Sequence, residues 1–411
     1  MATFTYDWDA RAPLKPKFKI LTESEFKEKF DWITASMDKG KDPVLGETAK
    51  KFVAKIFKWK ISLITNDAGI SSIWTANWQK SRGGPDARIY SLRFPREVSN
   101  QKIASDDSAF FCPELMKYVT VNPSSYDELK TVAVRLVTSE LAERDGNYLP
   151  INGSVASVLG KGVCLTAPRG LGKTTHVYGL AGWTGDSSTK FHSDGWFFYN
   201  LKNGEAISPE KRYYFRGFPS LSLNLRRLLS HPKKDVPKEN EISKSMIVMD
   251  GFLADPKEFL GKEKSTKKCN VDMLVILKRD TSDQWLIKPL SSDDALTFLE
   301  EGYTADSAIR EPYYNQFVVR DRVRDEKRKE MYKKFLSKVG IYLVNARDQP
   351  WITQTLIRGL ALGEWKWAKL VNGQVYALMG EKYEPLFRVM SKEVEKAPRQ
   401  TGLKRAHSSV A

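Results

Sequence analysis

The sequence predicts an α/β protein whose core is a mixed β-sheet flanked by helices. Three observations carry that expectation. From Gly153 onward, short apolar runs ("SVASVLG", "GVCLTA", "WFFYN", "SMIVMDGF", "VDMLVILKRD") alternate with glycines and charged loops, as buried strands do. Stretches with apolar residues at helical spacing lie among and beyond them, at Tyr126–Gly146, Asp293–Tyr303, Arg324–Gly340 and Trp351–Glu364. One stretch, "GVCLTAPRGLGKTTHVYGL" from Gly162 to Leu180, reads as a strand, a tight glycine turn and the start of a helix.

The elements follow in order. Residues 1–20 form a Pro/Lys-rich lead-in. Glu23–Phe57 carries helical spacing at Phe26, Phe30, Trp32 and Ile33, broken near Gly40–Pro43. "KISLIT" (Lys60–Thr65) and "ARIYSLRF" (Ala87–Phe94) alternate like half-buried strands, and Tyr126–Gly146 is a helix closed by glycine. The lysine-rich stretches Pro232–Ser243 and Lys257–Lys268 are expected as exposed loops. "IYLVNA" (Ile341–Ala346) is a strand, and "KAPRQTGLKRAHSSVA" a disordered basic tail. The texture divides the chain into residues 1–150, 151–390 and 391–411.

The bulk numbers narrow the function classes. The chain has 411 residues, 41% of them hydrophobic, which is enough for a sizeable core. Its formal net charge of +16 favours anionic partners such as nucleotides or nucleic acid. The three cysteines, Cys112, Cys164 and Cys269, lack metal spacing and fit a reducing compartment. No apolar run approaches the roughly 20 residues a membrane span needs, so the expectation is a soluble, cytoplasmic protein. Eleven tryptophans among many lysines could stack on bases, but the apolar neighbours of Trp59, Trp196 and Trp351 point to the core.

Chemistry concentrates in Ala167, Pro168, Arg169, Gly170, Leu171, Gly172, Lys173, Thr174 and Thr175. This is a phosphate-loop pattern with alanine in place of its first glycine. Gly170 and Gly172 allow backbone N–H groups to point at a polyphosphate, and the helix start adds its positive dipole end. Lys173 supplies a flexible charge for the β- and γ-phosphates, and Thr174 a hydroxyl for Mg²⁺. A carboxylate from a neighbouring strand must hold or orient the metal. Asp194 in "FHSDGWFFYN" and Asp250 in "SMIVMD" both qualify, and both also stand before a glycine, where turn chemistry selects Asp.

A resemblance ranks them. "NGSVASVLGKGVCLTAPRGLGKTT" followed by "FHSDGWFFYN" resembles the nucleotide core of HPr kinase and ATP-dependent phosphoenolpyruvate carboxykinase. There a β-hairpin leads into the phosphate loop, and an Asp-Asp pair follows, here Ser193-Asp194. "LIKPLSSDDALTFLEEGYTA" (Leu286–Ala305) and "GIYLVNA" (Gly340–Ala346) resemble later carboxykinase segments, while the first half matches only at "SRGGPDARIY". The resemblance implies a carboxykinase-like phosphate-loop core behind a divergent α/β N-terminal domain that could hold substrate. It implies ATP with Mg²⁺, or Mn²⁺, as cofactors, and Thr174 and Asp194 as metal ligands.

The departures argue against decarboxylation. The family's metal-binding histidine falls at Asn152, a poor transition-metal ligand, and its substrate arginine at Gly83, beside Arg82. Only Lys130 lies in the region of its lysine. The expected function is therefore ATP-dependent phosphoryl transfer to an alcohol on a small molecule, a protein or an RNA. The alternatives are a non-catalytic nucleotide-binding or nucleic-acid-associated scaffold and, less so, a carboxykinase-type lyase.

Phosphoryl transfer needs positioning and charge stabilisation. The candidate catalytic residues are Lys173, Asp194, His192 and Arg216. His192 lies two residues before Asp194 and is expected on the same strand face. Arg216 is favoured among Arg212, Arg216, Arg226 and Arg227 as a cation near the phosphates, with Lys278 and Arg279 as second choices.

Overall fold

A computed structural model describes residues 18–38, 49–93, 109–123, 126–168, 171–182, 188–210, 212–216, 247–248, 251–301 and 318–388. It is a mixed α/β structure. The expected tail at 391–411, the lead-in before residue 18, the lysine-rich stretch 232–243, and Arg169, Gly170, Arg226, Arg227 and Asp250 lie outside the described residues.

The N-terminal half forms a seven-stranded sheet in the order β1-β6-β7-β5-β3-β2-β4. Its strands are β1 (Lys19–Ile20), β2 (Lys50–Ile56), β3 (Trp59–Thr65), β4 (Gln79–Lys80), β5 (Ala87–Leu92), β6 (Ala109–Cys112) and β7 (Lys117–Val121). Helices α1 (Glu23–Asp38) and α2 (Ala68–Asn77) flank it, the latter capped by the Asp67 side chain on the Ile70 N–H. The helical reading of Glu23–Phe57 therefore holds only to Asp38. Residues 50–56 pair along their whole length with β3, because the period-two run "KFVAKI" suits a strand facing "WKISLIT".

The stretch expected as one helix is α3 (Tyr126–Thr131), a π-helical segment (Val132–Thr138) and α4 (Ser139–Asp145). The Thr138 and Ser139 hydroxyls donate to the carbonyls five residues back, of Ala133 and Val134, which holds the widened turn open. Gly146 closes the run at φ 73°.

The C-terminal half is built on a nine-stranded sheet ordered β11-β9-β10-β18-β20-β19-β21-β22-β23. Its members are β9 (Gly153–Val158), β10 (Lys161–Thr166), β11 (Lys190–Ser193), β18 (Met273–Lys278), β19 (Trp285–Pro289), β20 (Gly340–Asn345), β21 (Ala368–Val371), β22 (Gln374–Met379) and β23 (Lys382–Arg388). At its centre β10, β18 and β20 run parallel, which suits their near-continuous apolar sequences. Val163, Leu165, Val275 and Leu277 face helices α5 (Lys173–Ala181) and α9 (Pro350–Leu362). Cys164, Leu274 and Ile276 face α7 (Ser292–Glu301) and α8 (Arg322–Leu336). The sheet is thus covered on both faces. Gly179 lets α5 meet α9, since a Cβ there would lie 2.0 Å from the Gln354 amide nitrogen.

Two small sheets complete the half. One joins β17 (Cys269–Asn270), β13 (Glu205–Ile207), β12 (Phe197–Asn200) and β8 (Tyr148–Ile151); the other joins β14 (Tyr213–Arg216), β16 (Gly251–Ala254) and β15 (Ile247–Val248). Residue 150 lies within β8, so the expected division at 150/151 runs through a strand paired with β12. The stretch Lys257–Lys268 is not all loop. Asp255 caps a short helix, α6 (Pro256–Leu260), and a 3₁₀ turn covers Lys262–Lys264. Trp196 is buried as expected, whereas Trp351 is 40% exposed at the start of α9.

The halves are joined by stacked rings and buried charge. Phe57 stacks on Phe198 with centroids 4.7 Å apart. Arg328 on α8 donates from Nε and Nη2 to the two carboxylate oxygens of Glu143 on α4, each at 2.9 Å, and is 3% exposed. Arg328→Met is expected to destabilise the protein by about 3–5 kcal/mol, because Glu143 is left as an uncompensated buried charge. Adding Glu143→Leu is expected to recover most of the loss. Denaturant midpoints of wild type and the two variants check this.

Candidate functional site

Strand β10 ends at Thr166, and the chain turns through the glycine loop into α5. Gly172 stands at φ 92° just before the helix, a backbone state that any side chain would strain. The His176 ring packs at ordinary contact distance, 3.4 Å, from where a Cβ on Gly172 would sit, so the positive φ rather than crowding selects glycine there. Ala167 is fully buried, which explains why a small residue suffices at the pattern's first position. The Lys173 ammonium, at the first turn of α5, hydrogen-bonds the loop carbonyls of Ala167 and, at 3.3 Å, Pro168. It curls over the loop at the positive end of the helix.

The β9–β10 hairpin and β11 bring a carboxylate to this loop. β9 pairs with β10 from Gly153↔Thr166 to Val158↔Lys161, and β11 adds to its other side. Asp194 follows β11 directly. Its Oδ1 accepts from the Ser154 hydroxyl at 2.5 Å and from the Thr174 hydroxyl at 3.2 Å. The Gly195 N–H donates to the Ser154 oxygen at 3.4 Å, tying the turn to the hairpin. Asp194 is 9% exposed. Burial pushes its carboxyl above the usual carboxylate range, against the Ser154 and Thr174 hydrogen bonds and the charges of Lys130 and Lys173. Ser154 is a site residue the sequence reading missed. It sits inside an apolar strand pattern, and only the hairpin register aims it at Asp194.

The pairing of β11 with β9 shifts between Phe191 and Ser193, so the strand is irregular at His192. The His192 Nδ1 lies 3.2 Å from the Thr266 carbonyl, and burial lowers its pKa. Ser193 is fully buried with its hydroxyl unbonded. Arg216 ends β14, whose backbone pairs with Gly251 on β16; its side chain lies outside the described residues.

Lys278 is committed elsewhere. At the end of β18 it ion-pairs Asp280 at 3.0 Å and Asp283 at 2.6 Å, bracing the loop after the strand. Arg279 donates to the Ala346 carbonyl at 3.3 Å. The Ser282 hydroxyl, against burial and together with Lys278, holds the Asp280 carboxyl well below its ordinary range. A depressed carboxylate contributes stability above its unfolded pKa of about 4 and loses it as pH falls. Asp280→Asn is therefore expected to lower the denaturation midpoint at neutral pH. The gap to wild type should close as pH drops below about 4, as equilibrium unfolding at several pH values checks.

Glu210 is a second residue the sequence reading did not single out. It ion-pairs Lys130 on α3, the lysine in the region of the family's own, at 2.7 Å, with side chains 3% and 15% exposed.

The donor set fits Mg²⁺. Hydroxyl and carboxylate are the hard oxygen ligands it takes, with phosphates and waters supplying the rest. It does not fit a transition-metal centre built by the protein alone. Among the described residues no group of three His, Cys, Asp or Glu side chains could hold a metal, and Asn152 stands before the hairpin.

No protein-family model matches the chain. No curated protein matches it. Among solved structures the chain is similar to the HPr(Ser) kinase/phosphatase from Coxiella burnetii, at 12% identity and a TM-score of 0.26. That alignment covers 52% of this chain and 97% of the other. A likeness this weak leaves the reading of the site to its own geometry. Among the described residues no helix is long and apolar enough to cross a membrane.

Proposed function

We propose that the protein is an ATP-dependent phosphotransferase that moves the γ-phosphoryl group to an alcohol acceptor. One observation carries the reading: the hydroxyl of Thr174, next to the loop lysine, meets the buried carboxylate of Asp194 at 3.2 Å behind a strand–glycine–helix turn. The loop amides and Lys173 hold the β- and γ-phosphates, and Thr174 and Asp194 hold Mg²⁺, or Mn²⁺ in its place. The bound ion supplies charge neutralisation of the phosphates.

The acceptor oxygen attacks the γ-phosphorus, the bond to the β,γ-bridging oxygen breaks, and ADP leaves. Asp194 orients the acceptor hydroxyl and takes its proton. His192, whose Nδ1 lies 3.2 Å from the Thr266 carbonyl, is the second candidate for that proton. Arg216 is the proposed further cation for the transferring group. The acceptor belongs to a small molecule, a protein or an RNA.

Incubation with γ-labelled ATP and Mg²⁺, followed by a search of metabolite, protein and RNA fractions for label, tests the reading. Label in one fraction supports it and names the acceptor class. Absence of nucleotide binding overturns it.

A further inference from the structure

Strands β19, β21, β22 and β23 form the antiparallel end of the large sheet, across it from the strand that leads into the phosphate loop. One side of this end is core. Ala368, Val375 and Ala377 are fully buried in one cluster with Ile352, Leu356 and Ile357 of α9. The side chains that alternate with them face the other way. On that side Trp285 stands opposite Lys369, Lys369 opposite Tyr376, and Tyr383 opposite Leu378. Trp367, two residues before Lys369, meets Trp285 with ring centroids 5.3 Å apart, and Tyr383 lies 6.4 Å from Trp285. The Lys369 ammonium stands 4.2 Å from the centroid of the Tyr383 ring. None of these side chains is buried, and Tyr383 is 38% exposed.

Large rings left together on a sheet face mark an interaction site. Their neighbours define the partner. Bases stack on aromatic faces and phosphates meet ammonium groups, so rings interleaved with lysines suit a single-stranded nucleic acid. Lys288 adds charge to the same side. It stands opposite Leu343, whose side chain joins the core under α7 and α8, and Lys366 is exposed beside Trp367. The acidic Glu384 alternates to the other side, opposite Ala377. The sheet edge itself is closed to a further strand, because outermost β23 carries Pro385, which has no N–H to offer. A partner therefore lies on the face. Gln374, opposite Val371 on this side, carries an amide that can both donate to and accept from a ribose 2′-hydroxyl.

We propose that this four-stranded face is a binding surface for single-stranded RNA. Bases stack on Tyr383, Trp367 and Trp285, and Lys369 leaves the Tyr383 ring for a backbone phosphate. The surface goes beyond the phosphotransferase reading and does not rest on it.

The test is fluorescence anisotropy of a labelled oligouridylate of about ten nucleotides, with full-length protein, no ATP and a series of salt concentrations. Wild type is expected to bind it more tightly than the matching DNA strand or an RNA duplex, and more weakly as salt rises. Tyr383→Ala is expected to weaken binding about tenfold, and Tyr383→Phe, which keeps the ring, to retain it. Lys369→Gln is expected to reduce the slope of log affinity against log salt by about 0.7. Melting curves of the exposed-site variants are expected to stay close to wild type. If Tyr383→Ala does not fold, the Lys369→Gln slope decides.

No RNA binding by wild type overturns the proposal. So does equal or tighter binding of the DNA strand or the duplex, or binding of anionic lipid vesicles in place of RNA. Folded variants that bind RNA like wild type, with an unchanged salt slope, also overturn it. Because ATP is absent throughout, either result leaves the phosphotransferase reading to its own test.

Discussion

Lys173→Ala is expected to weaken ATP binding about 100-fold and to leave the fold intact. The ammonium is a positive side chain of the loop, and it rests on the Ala167 and Pro168 carbonyls. Those carbonyls are acceptors that water can serve when the lysine swings toward a phosphate. Removing the side chain therefore costs little before binding. After binding it removes charge-assisted hydrogen bonds worth about 3 kcal/mol, which is roughly a factor of 100 in Kd. Lys173→Arg is expected to recover only part of the affinity, since a planar fork does not fit a loop shaped around a point charge. Calorimetric titration with Mg-ATP, beside thermal melts, reads both quantities. Unchanged ATP affinity in Lys173→Ala would falsify the assignment of this loop to phosphate.

The loop and its strands were legible because they depend on local rules. The apolar runs around Val163–Leu165, Leu274–Leu277 and Ile341–Val344 predict buried strands, and each is one, side by side and parallel. Glycine at 172 marks the positive-φ turn, and glycine at 146 the helix end. Where a second element decides, the sequence is silent. The alternation in "KKFVAKI" is too short to outweigh the preceding helical pattern; its pairing with β3 decides it. Nothing in "FHSD" signals the register shift at His192. Ser154 meets Asp194, and Lys130 meets Glu210, across separate segments that only tertiary pairing brings together. A π segment carries no periodic signature distinct from a helix, so the widened turn at Val132–Thr138 could not be foreseen.

Asp194→Asn is expected to separate activity from stability in opposite directions. The amide keeps an oxygen to accept from Ser154 and Thr174, so the hairpin and the start of α5 stay linked. It loses the charge that would hold Mg²⁺ and receive the acceptor's proton. Turnover is expected to fall by roughly 10³, as removal of a central electrostatic group does, while ATP affinity stays within a few-fold. Stability is expected to hold or rise by a few degrees in Tm, because the carboxylate is buried and burial disfavours its charge. An aspartate kept only to brace a turn would show the reverse, with lost stability and little else. Initial rates at saturating Mg-ATP and melting curves on the same preparation distinguish the two. On the proposed function, the cost of burying a charge beside Thr174 is offset by the phosphoryl transfer that needs it.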